Sequence, residues 1–143
     1  EMQRSLVGSE MCIRDRLQIM LACTNGTLDK TEVKFSDGAA ACVVLASGGY
    51  PVAYEKGKDI TGLENGQVPG AADVTVYHAG TAIKDGKLVT NGGRVLGVTA
   101  TAATLPEALK KAYAAADCIH FDKLHRRSDI GARALAAMKA QEG

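Results

Sequence analysis

The 143-residue sequence lacks tryptophan altogether, and aromatic residues make up only 4% of it. It also lacks an excess of charge of one sign, because 17 basic residues face 16 acidic ones and the net charge is +1. This balance argues against a nucleic-acid-binding or membrane-binding surface, and no apolar run is long enough to span a bilayer. With so few aromatics, the core must consist mainly of Ala, Val, Leu and Ile.

The four cysteines match no metal-binding or redox motif. Cys12 lies in an N-terminal segment that does not fit the rest of the chain. Cys42 lies in an apolar run and Cys118 late in a predicted helix, so both are expected to be buried small hydrophobic residues. Cysteine usage of this kind, which includes Cys23, predicts a cytoplasmic protein.

Residues 1–16 show neither helical nor strand periodicity, and they lack the apolar core of a secretory signal. The segment from Arg4 to Arg16 is typical of a translated sequencing adapter joined to a gene fragment. We therefore expect residues 1–16 to be artefactual or disordered and exclude them from the fold. The alternative is a genuine N-terminal tail.

The remaining residues predict strands followed by helices. Residues 17–23 are expected to end a helix that Asn25 and Gly26 stop. Strands are predicted at residues 31–35, 39–46, 73–78 and 94–100, and a hairpin at 81–90 around Asp85 and Gly86. The apolar run 39–46 is expected to be buried on both faces, and residues 47–66 form a long loop.

Two helices are predicted near the C-terminus. The first follows a capping box from Thr104 to Glu107 and runs to about Ile119. Its apolar residues, which include Leu109, Ala112 and Ala116, lie on one face. The second covers residues 130–139 and is capped by Ser128 or Asp129. Strands that precede helices, with antiparallel hairpins, predict an α+β fold. We expect a small antiparallel or mixed sheet, or a barrel-like domain, with two C-terminal helices.

Candidate binding residues lie in two glycine-rich turns and at one lysine. In the first turn, Asn91, Gly92 and Gly93 leave backbone N–H groups open, and Arg94 adds a charged fork that suits a carboxylate or phosphate. An ordinary hairpin with a surface arginine is the alternative. The second turn would form a pocket wall and consists of Gly48, Gly49, Tyr50 and Pro51. Lys56 would provide a mobile positive charge.

The other polar residues give weaker indications. His78 suits a substrate contact or, more commonly, a local backbone contact, while His120 and His125 lack the companions of a metal site. Residues 126–129 form a charge cluster that suits pairing at the surface or with a neighbouring domain. No catalytic triad and no phosphate-binding P-loop is present.

Several motifs together resemble a known family. They include Ser-Gly-Gly-Tyr-Pro at 47–51, His-Ala-Gly-Thr at 78–81, Asn-Gly-Gly-Arg-Val-Leu at 91–96 and Arg-Arg-Ser-Asp-Ile-Gly at 126–131. In order and spacing they resemble the C-terminal domain of the phosphoribosylamine–glycine ligases, also called glycinamide ribonucleotide synthetases. The resemblance extends from about Leu17 to about Leu135.

The resemblance implies an ATP-grasp ligase of purine biosynthesis that joins glycine to 5-phosphoribosylamine. In this family ATP and Mg²⁺ (or Mn²⁺) bind mainly to an upstream ATP-grasp domain, so residues 17–31 would be the tail end of that domain and 32–143 the C-terminal domain. The missing domain and the two small-molecule substrates would be the partners. The isolated fragment would hold no cofactor, metal ligand or catalytic residue and would be inactive.

The resemblance also assigns the two turns and the lysine to the substrate cleft, with Arg94 binding phosphate or carboxylate. The sequence end at residues 140–143 favours a ligase that is not fused to other enzymes. One alternative is a stand-alone scaffold domain, which would have a polar exposed face, whereas a severed domain would expose an apolar patch. Another is an anion-binding regulatory domain built on Arg94.

Overall fold

The computed structural model describes residues 13–33 and 37–141. Its elements in chain order are α1 (Ile13–Asn25), a 3-10 helix (Leu28–Lys30), β1 (Ala39–Ser47), β2 (Val74–His78), β3 (Thr81–Lys84), β4 (Lys87–Thr90), β5 (Arg94–Ala102), α2 (Leu105–Asp117), β6 (Leu124–His125) and α3 (Ala132–Gln141). One antiparallel sheet has the order β2-β5-β1-β6, and β3 pairs separately with β4. The predicted α+β class is confirmed, with open sheets. None of the described helices is long and apolar enough to cross a membrane.

Helix α2 covers one face of the four-stranded sheet and so creates the core. It contacts β1 and β5 through a side made mostly of alanine, and small side chains let a helix approach a sheet closely. The buried residues of α2 are Ala108, Leu109, Ala112, Ala115 and Ala116. The sheet contributes the fully buried side chains of Val43, Leu45, Val95 and Val98. A core of Ala, Val, Leu and Ile was predicted, and Phe121 joins it.

The prediction that β1 is buried on both faces is wrong. Cys42 and Val44 are exposed, whereas Val43 and Leu45, which alternate with them along the strand, are fully buried. Successive side chains of a strand point to opposite faces, and α2 covers only one face of this sheet. Cys42 is therefore not a core residue, and Cys118, which follows the last turn of α2, is exposed as well.

The end of α1 at Asn25, directly before Gly26, is as predicted, but its start differs from the expectation. The helix begins at Ile13, inside the segment that was expected to be artefactual or disordered, rather than near Leu17. No glycine or proline occurs between Ile13 and Arg16, so nothing there interrupts a helix. Of the predicted strand 31–35, residues 31–33 are not strand, and 34–36 lie outside the described residues.

Helix α2 ends at Asp117, about two residues before the predicted end, and α3 lies two residues later than predicted but has the predicted length. The caps of these helices also differ from the prediction. Thr104 is the N-cap of α2, but its side chain makes no capping hydrogen bond, so the predicted capping box is wrong. The Thr104 carbonyl instead accepts from the Ala108 N–H at 3.0 Å. At α3, the Asp129 carboxylate binds the Arg127 guanidinium through two bonds of 2.8 and 2.7 Å. Because such charge-assisted pairs are strong, this carboxylate is engaged elsewhere and does not cap the helix.

The predicted hairpin is confirmed, and the preceding loop adds a strand-like segment to it. Asp85 and Gly86 have positive φ angles of 51° and 75°, as a two-residue hairpin turn of this kind requires. Residues 57–60, which were expected to be loop, run alongside β4. Ile60 N–H donates to the Leu88 carbonyl at 2.9 Å, and Thr90 N–H donates to the Lys58 carbonyl at 2.9 Å.

A β-bulge lies where β5 begins. Leu45 pairs with Leu96 but Ala46 pairs with Arg94, which leaves Val95 as an extra residue in β5. A bulge bends its strand and redirects the side chains beside it, and bulges are common next to functional sites. Here the bulge lies directly after the turn that carries the predicted binding residues.

Candidate functional site

The two glycine-rich turns that the sequence singled out lie against each other. Ser47, at the end of β1, donates its N–H to the Gly93 carbonyl at 2.8 Å and its hydroxyl to the Gly92 carbonyl at 2.9 Å. Ser47 is only 5% exposed, so both bonds are protected from water. A buried serine therefore fixes the turn at residues 91–94 beside the turn at residues 48–51.

Tyr50 forms the wall of this region. Its ring lies against Gly93, where any side chain larger than hydrogen would collide with the ring carbons. The Tyr50–Pro51 peptide bond is cis. Tyr54 meets Tyr50 edge-on, with the ring centroids 5.9 Å apart and the planes at 61°, a favoured aromatic geometry. Tyr50 and Tyr54 are 40% and 37% exposed, so the pair presents a partly open aromatic surface.

The backbone at Gly80 passes close to the backbone at Gly92, and this crossing supports the turn at residues 91–94. Asn91 N–H donates to the Gly80 carbonyl at 2.7 Å. A Cβ atom on Gly80 would lie 2.7 Å from the Gly92 Cα and 2.6 Å from the Arg94 carbonyl oxygen. The two backbones can cross this closely only because both residues lack a side chain.

The same turn leaves donors free. Within residues 13–33 and 37–141, neither the Gly92 nor the Gly93 N–H donates a hydrogen bond. The Arg94 side chain is exposed and forms no ion pair with any described residue. Successive free N–H groups beside a guanidinium make a surface that suits an anion.

Lys56 is exposed, and the backbone N–H groups of the two residues that follow it bind Thr90. Gly57 N–H donates to the Thr90 carbonyl at 2.6 Å, and Lys58 N–H donates to the Thr90 hydroxyl at 3.1 Å. Thr90 directly precedes Asn91, so the backbone beside Lys56 is joined to the start of the turn. Lys56, like Arg94, has no carboxylate partner among the described residues.

The neighbouring charges are paired and hold the 50–58 loop in place. The Lys58 ammonium lies 2.8 Å from the Glu55 carboxylate and 3.1 Å from that of Asp122, and Lys123 lies 3.4 Å from Glu55. The hydrogen bond from Lys58, followed by that from Lys123, lowers the pKa of the Glu55 carboxyl below its ordinary value. The hydrogen bonds to Glu55 and Asp122 raise the pKa of Lys58.

Acid is expected to weaken this network through Glu55. A lowered carboxyl pKa contributes stability above the unfolded value of 4.5, and this contribution is lost as the pH falls through the folded value. An NMR titration should therefore place Glu55 below 4.5, and the Lys58→Gln variant should move it back towards 4.5. A Glu55 that titrates at or above 4.5 in the unmodified chain would contradict the ion-pair geometry.

Replacement of Gly93 by alanine is expected to displace Tyr50, because the new Cβ and the ring would occupy the same space. Forced repacking of this kind costs about 1–3 kcal/mol. We expect a lower unfolding free energy and an altered near-ultraviolet tyrosine signal. Tyr50→Ala should remove the collision, so the double variant should be more stable than the sum of the two single changes predicts. Additive effects would show that the Gly93 contact is unimportant.

An open cavity lies away from this region. It has a volume of about 580 Å³ between the β3–β4 hairpin and residues 60–66, and none of its lining residues belongs to the predicted site. At its base His78 Nε2 lies 3.0 Å from the Gly66 carbonyl, and Nδ1 lies 3.2 Å from the Thr81 hydroxyl. His78 therefore has the local role that the sequence favoured. Leu63 and Asn65, which line this cavity, were not predicted as site residues, although the Asn-Gly pair at 65–66 marks a turn there.

The remaining polar candidates are structural or exposed. Arg126 pairs with Asp117 and lies over the Tyr113 ring at 5.7 Å from its centroid. The Tyr113 hydroxyl donates to the Arg127 carbonyl at 3.0 Å and accepts from the Ile130 N–H at 3.1 Å, which joins α2 to the segment before α3. The part of the chain that the structure describes contains no group of three or more His, Cys, Asp or Glu side chains placed to hold a metal ion.

The described residues form an open antiparallel sheet with one helical layer, and a Gly-Gly-Arg turn lies beside this sheet. Residues 40–133 match the family model described as phosphoribosylglycinamide synthetase, C domain, and the chain belongs to this family. The resemblance that the sequence motifs indicated is thereby confirmed.

Similar proteins carry the corresponding name. The phosphoribosylamine–glycine ligase of Agrobacterium fabrum is 48% identical over 127 residues, which are 88% of this chain and 29% of that ligase. The Synechocystis ligase is 45% identical over 119 residues, 82% of this chain and 28% of its own length. The trifunctional purine biosynthetic protein adenosine-3 of Gallus gallus is 45% identical over 130 residues, 90% of this chain and 13% of that protein.

A solved structure shares the fold. The crystal structure of phosphoribosylamine–glycine ligase from Thermotoga maritima superposes with a TM-score of 0.62 at 42% identity, and the match covers 78% of this chain and 27% of that one. The chain thus spans less than a third of the length of the ligases that it matches.

Proposed function

We propose that this chain acts as the C-terminal part of a phosphoribosylamine–glycine ligase, the ATP-dependent enzyme that joins glycine to 5-phosphoribosylamine in purine biosynthesis. Its family membership and the names of its relatives support this proposal. The proposal assigns the chain to the cytoplasm, with the ATP-grasp domain, glycine and phosphoribosylamine as its partners.

The role proposed for the two turns rests on one observation. The turns at residues 48–51 and 91–94 lie in contact through Ser47 and Tyr50, and the contact leaves Arg94 exposed and without an ion pair among the described residues. Two of the anionic groups that the reaction handles are the phosphate of phosphoribosylamine and the carboxylate of glycine. Arg94 would bind one of them through its planar fork, and Lys56 would add a second positive charge.

The turn glycines and Tyr50 would position the same group. The Gly80 backbone and the Tyr50 ring fill the space that side chains would take at Gly92 and Gly93. The N–H groups of these two glycines donate to no described residue, and they would donate to phosphate or carboxylate oxygens. The Tyr50 and Tyr54 rings would exclude water from one side of the bound group. Phosphoryl-transfer enzymes depend on such positioning and charge neutralisation.

The residues of this chain that the structure describes do not fit a site for ATP and a metal ion. The described residues offer no metal-ligand group, and the large cavity is lined by uncharged side chains and His78. ATP and Mg²⁺ or Mn²⁺ would therefore bind mainly to the upstream domain, and this chain would supply a wall of the substrate cleft.

The proposal predicts that the isolated 143-residue chain forms no product. The chain should be incubated with ATP, Mg²⁺, glycine and phosphoribosylamine, and both ADP and glycinamide ribonucleotide should be measured. A full-length ligase serves as the positive control. Formation of product that depends on both ATP and glycine would overturn the assignment of catalysis to the upstream domain.

A further inference from the structure

No element of residues 13–33 and 37–141 covers the face of the four-stranded sheet opposite α2. We call it the outer face, and it consists of Cys42, Val44, Thr75, Tyr77, Gly97 and Thr99. The strand register puts Val44, Gly97 and Tyr77 in one row and Cys42, Thr99 and Thr75 in the next. Tyr77 is 59% exposed and Val44 41% exposed.

The composition of the outer face is unusual for a surface that meets only water. None of these six residues is charged, although charged residues make up 23% of the sequence. The charged Arg94 lies in the next row, opposite Ala46. An antiparallel sheet with one solvated face normally presents polar side chains there. Depletion of charge together with an exposed tyrosine is instead typical of the centre of an interface.

The shape of the face also favours a close partner. Gly97 lies between Val44 and Tyr77, so the middle of the row has no side chain and forms a shallow depression. A Cβ atom there would meet only the Cys42 sulfur at 3.3 Å and the Tyr77 Cβ at 3.9 Å. A side chain from a partner could therefore enter between Val44 and Tyr77.

The comparison with longer relatives identifies the occupant. The ligases that this chain matches are more than three times as long as the matched region, because that region is 28–29% of their length. We infer that the outer face packs against the upstream part of the same ligase, with Val44, Tyr77 and Cys42 at the centre of the contact. This inference rests on the proposed function.

Thiol modification tests this inference, because Cys42 lies on the outer face and Cys118 follows α2 on the other side of the sheet. Both thiols are exposed and should react with a maleimide in the isolated chain. In a chimera, this chain from residue 17 onwards replaces the matching region of the Agrobacterium fabrum ligase. There Cys42 should react at least about tenfold more slowly, while Cys118 should be unchanged. Peptide mapping by mass spectrometry separates the sites, and equal Cys42 rates would overturn the inference.

Ligase activity of the same chimera reports on the proposed function separately. A protected Cys42 in an inactive chimera would support the interface and count against the function. An active chimera in which Cys42 reacts as it does in the isolated chain would support the function and overturn the interface.

A measurement on the isolated chain needs no chimera. Hydrophobic dye should bind to the outer face and to other exposed apolar side chains such as Ile83 and Met20. The Val44→Asp/Tyr77→Lys variant should lose the part of the dye binding that the outer face contributes. Because both side chains are exposed, that variant should retain its melting temperature. Met138→Lys, which changes an apolar side chain on α3 of similar exposure, is the matched control and should bind dye as the unmodified chain does. Unchanged dye binding by the double variant would contradict the inference.

Discussion

Replacement of Gly80 by alanine is expected to distort the turn at residues 91–94 and to cost about 3 kcal/mol of unfolding free energy. The new Cβ would lie 2.6 Å from the Arg94 carbonyl oxygen and 2.7 Å from the Gly92 Cα. Both atoms belong to backbone, so no side-chain rotation can relieve the collision. Chemical denaturation measures the loss, and NMR chemical shifts of residues 91–94 should report the distortion.

Gly97→Ala is the matched control for this change. Gly97 lies on a neighbouring strand, but the nearest atom to its added Cβ is the exposed Cys42 sulfur at 3.3 Å, which can rotate away. We expect a loss of less than about 1 kcal/mol for this variant. If Gly80→Ala were no more destabilising than Gly97→Ala, the close crossing of Gly80 and Gly92 would be wrong.

Replacement of Arg94 by alanine is expected to weaken substrate binding about 10- to 100-fold in the chimera. A hydrogen bond to a charged group contributes about 1.5–3 kcal/mol, which corresponds to this range. The KM for phosphoribosylamine should rise if the guanidinium binds the phosphate, and the KM for glycine if it binds the carboxylate. Arg94→Lys should fall in between, because lysine keeps the charge but loses the planar fork.

Arg133→Ala provides the control for loss of an exposed positive charge. Arg133 lies on α3, is exposed and forms no ion pair with a described residue. Its removal should leave both KM values unchanged. Equal effects of Arg94→Ala and Arg133→Ala would show that Arg94 contributes only to the overall charge. Since Arg94 is exposed, its variant should also unfold at the same temperature as the unmodified chain.

Local sequence signals predicted much of the fold. Asp85 and Gly86 predicted the β3–β4 hairpin because a tight turn there needs residues that tolerate positive φ. The apolar spacing of α2 predicted which side would be buried, and Leu109, Ala112 and Ala116 lie in the core as expected. The two turns selected from their glycines also lie in contact, although their role in binding stays a prediction.

The features that the sequence did not predict depend on contacts between distant residues. Residues 57–60 pair with β4 through backbone groups that carry no sequence signal. The side-chain amide of Gln67 binds the N–H and carbonyl of Val76 at 2.7 and 3.0 Å along the edge strand β2, which no local pattern indicates. The exposure of Cys42 follows from the single helical layer, and the apolar run around it resembles a strand covered on both faces.

Ligase activity of the chimera tests whether this chain completes a phosphoribosylamine–glycine ligase. The upstream part of the Agrobacterium fabrum ligase should be assayed alone and joined to this chain from residue 17, with ATP, glycine and phosphoribosylamine as substrates. The account predicts glycinamide ribonucleotide from the joined protein and none from either part alone. A chimera that folds, binds ATP and still forms no product would contradict the claim that this chain completes the ligase.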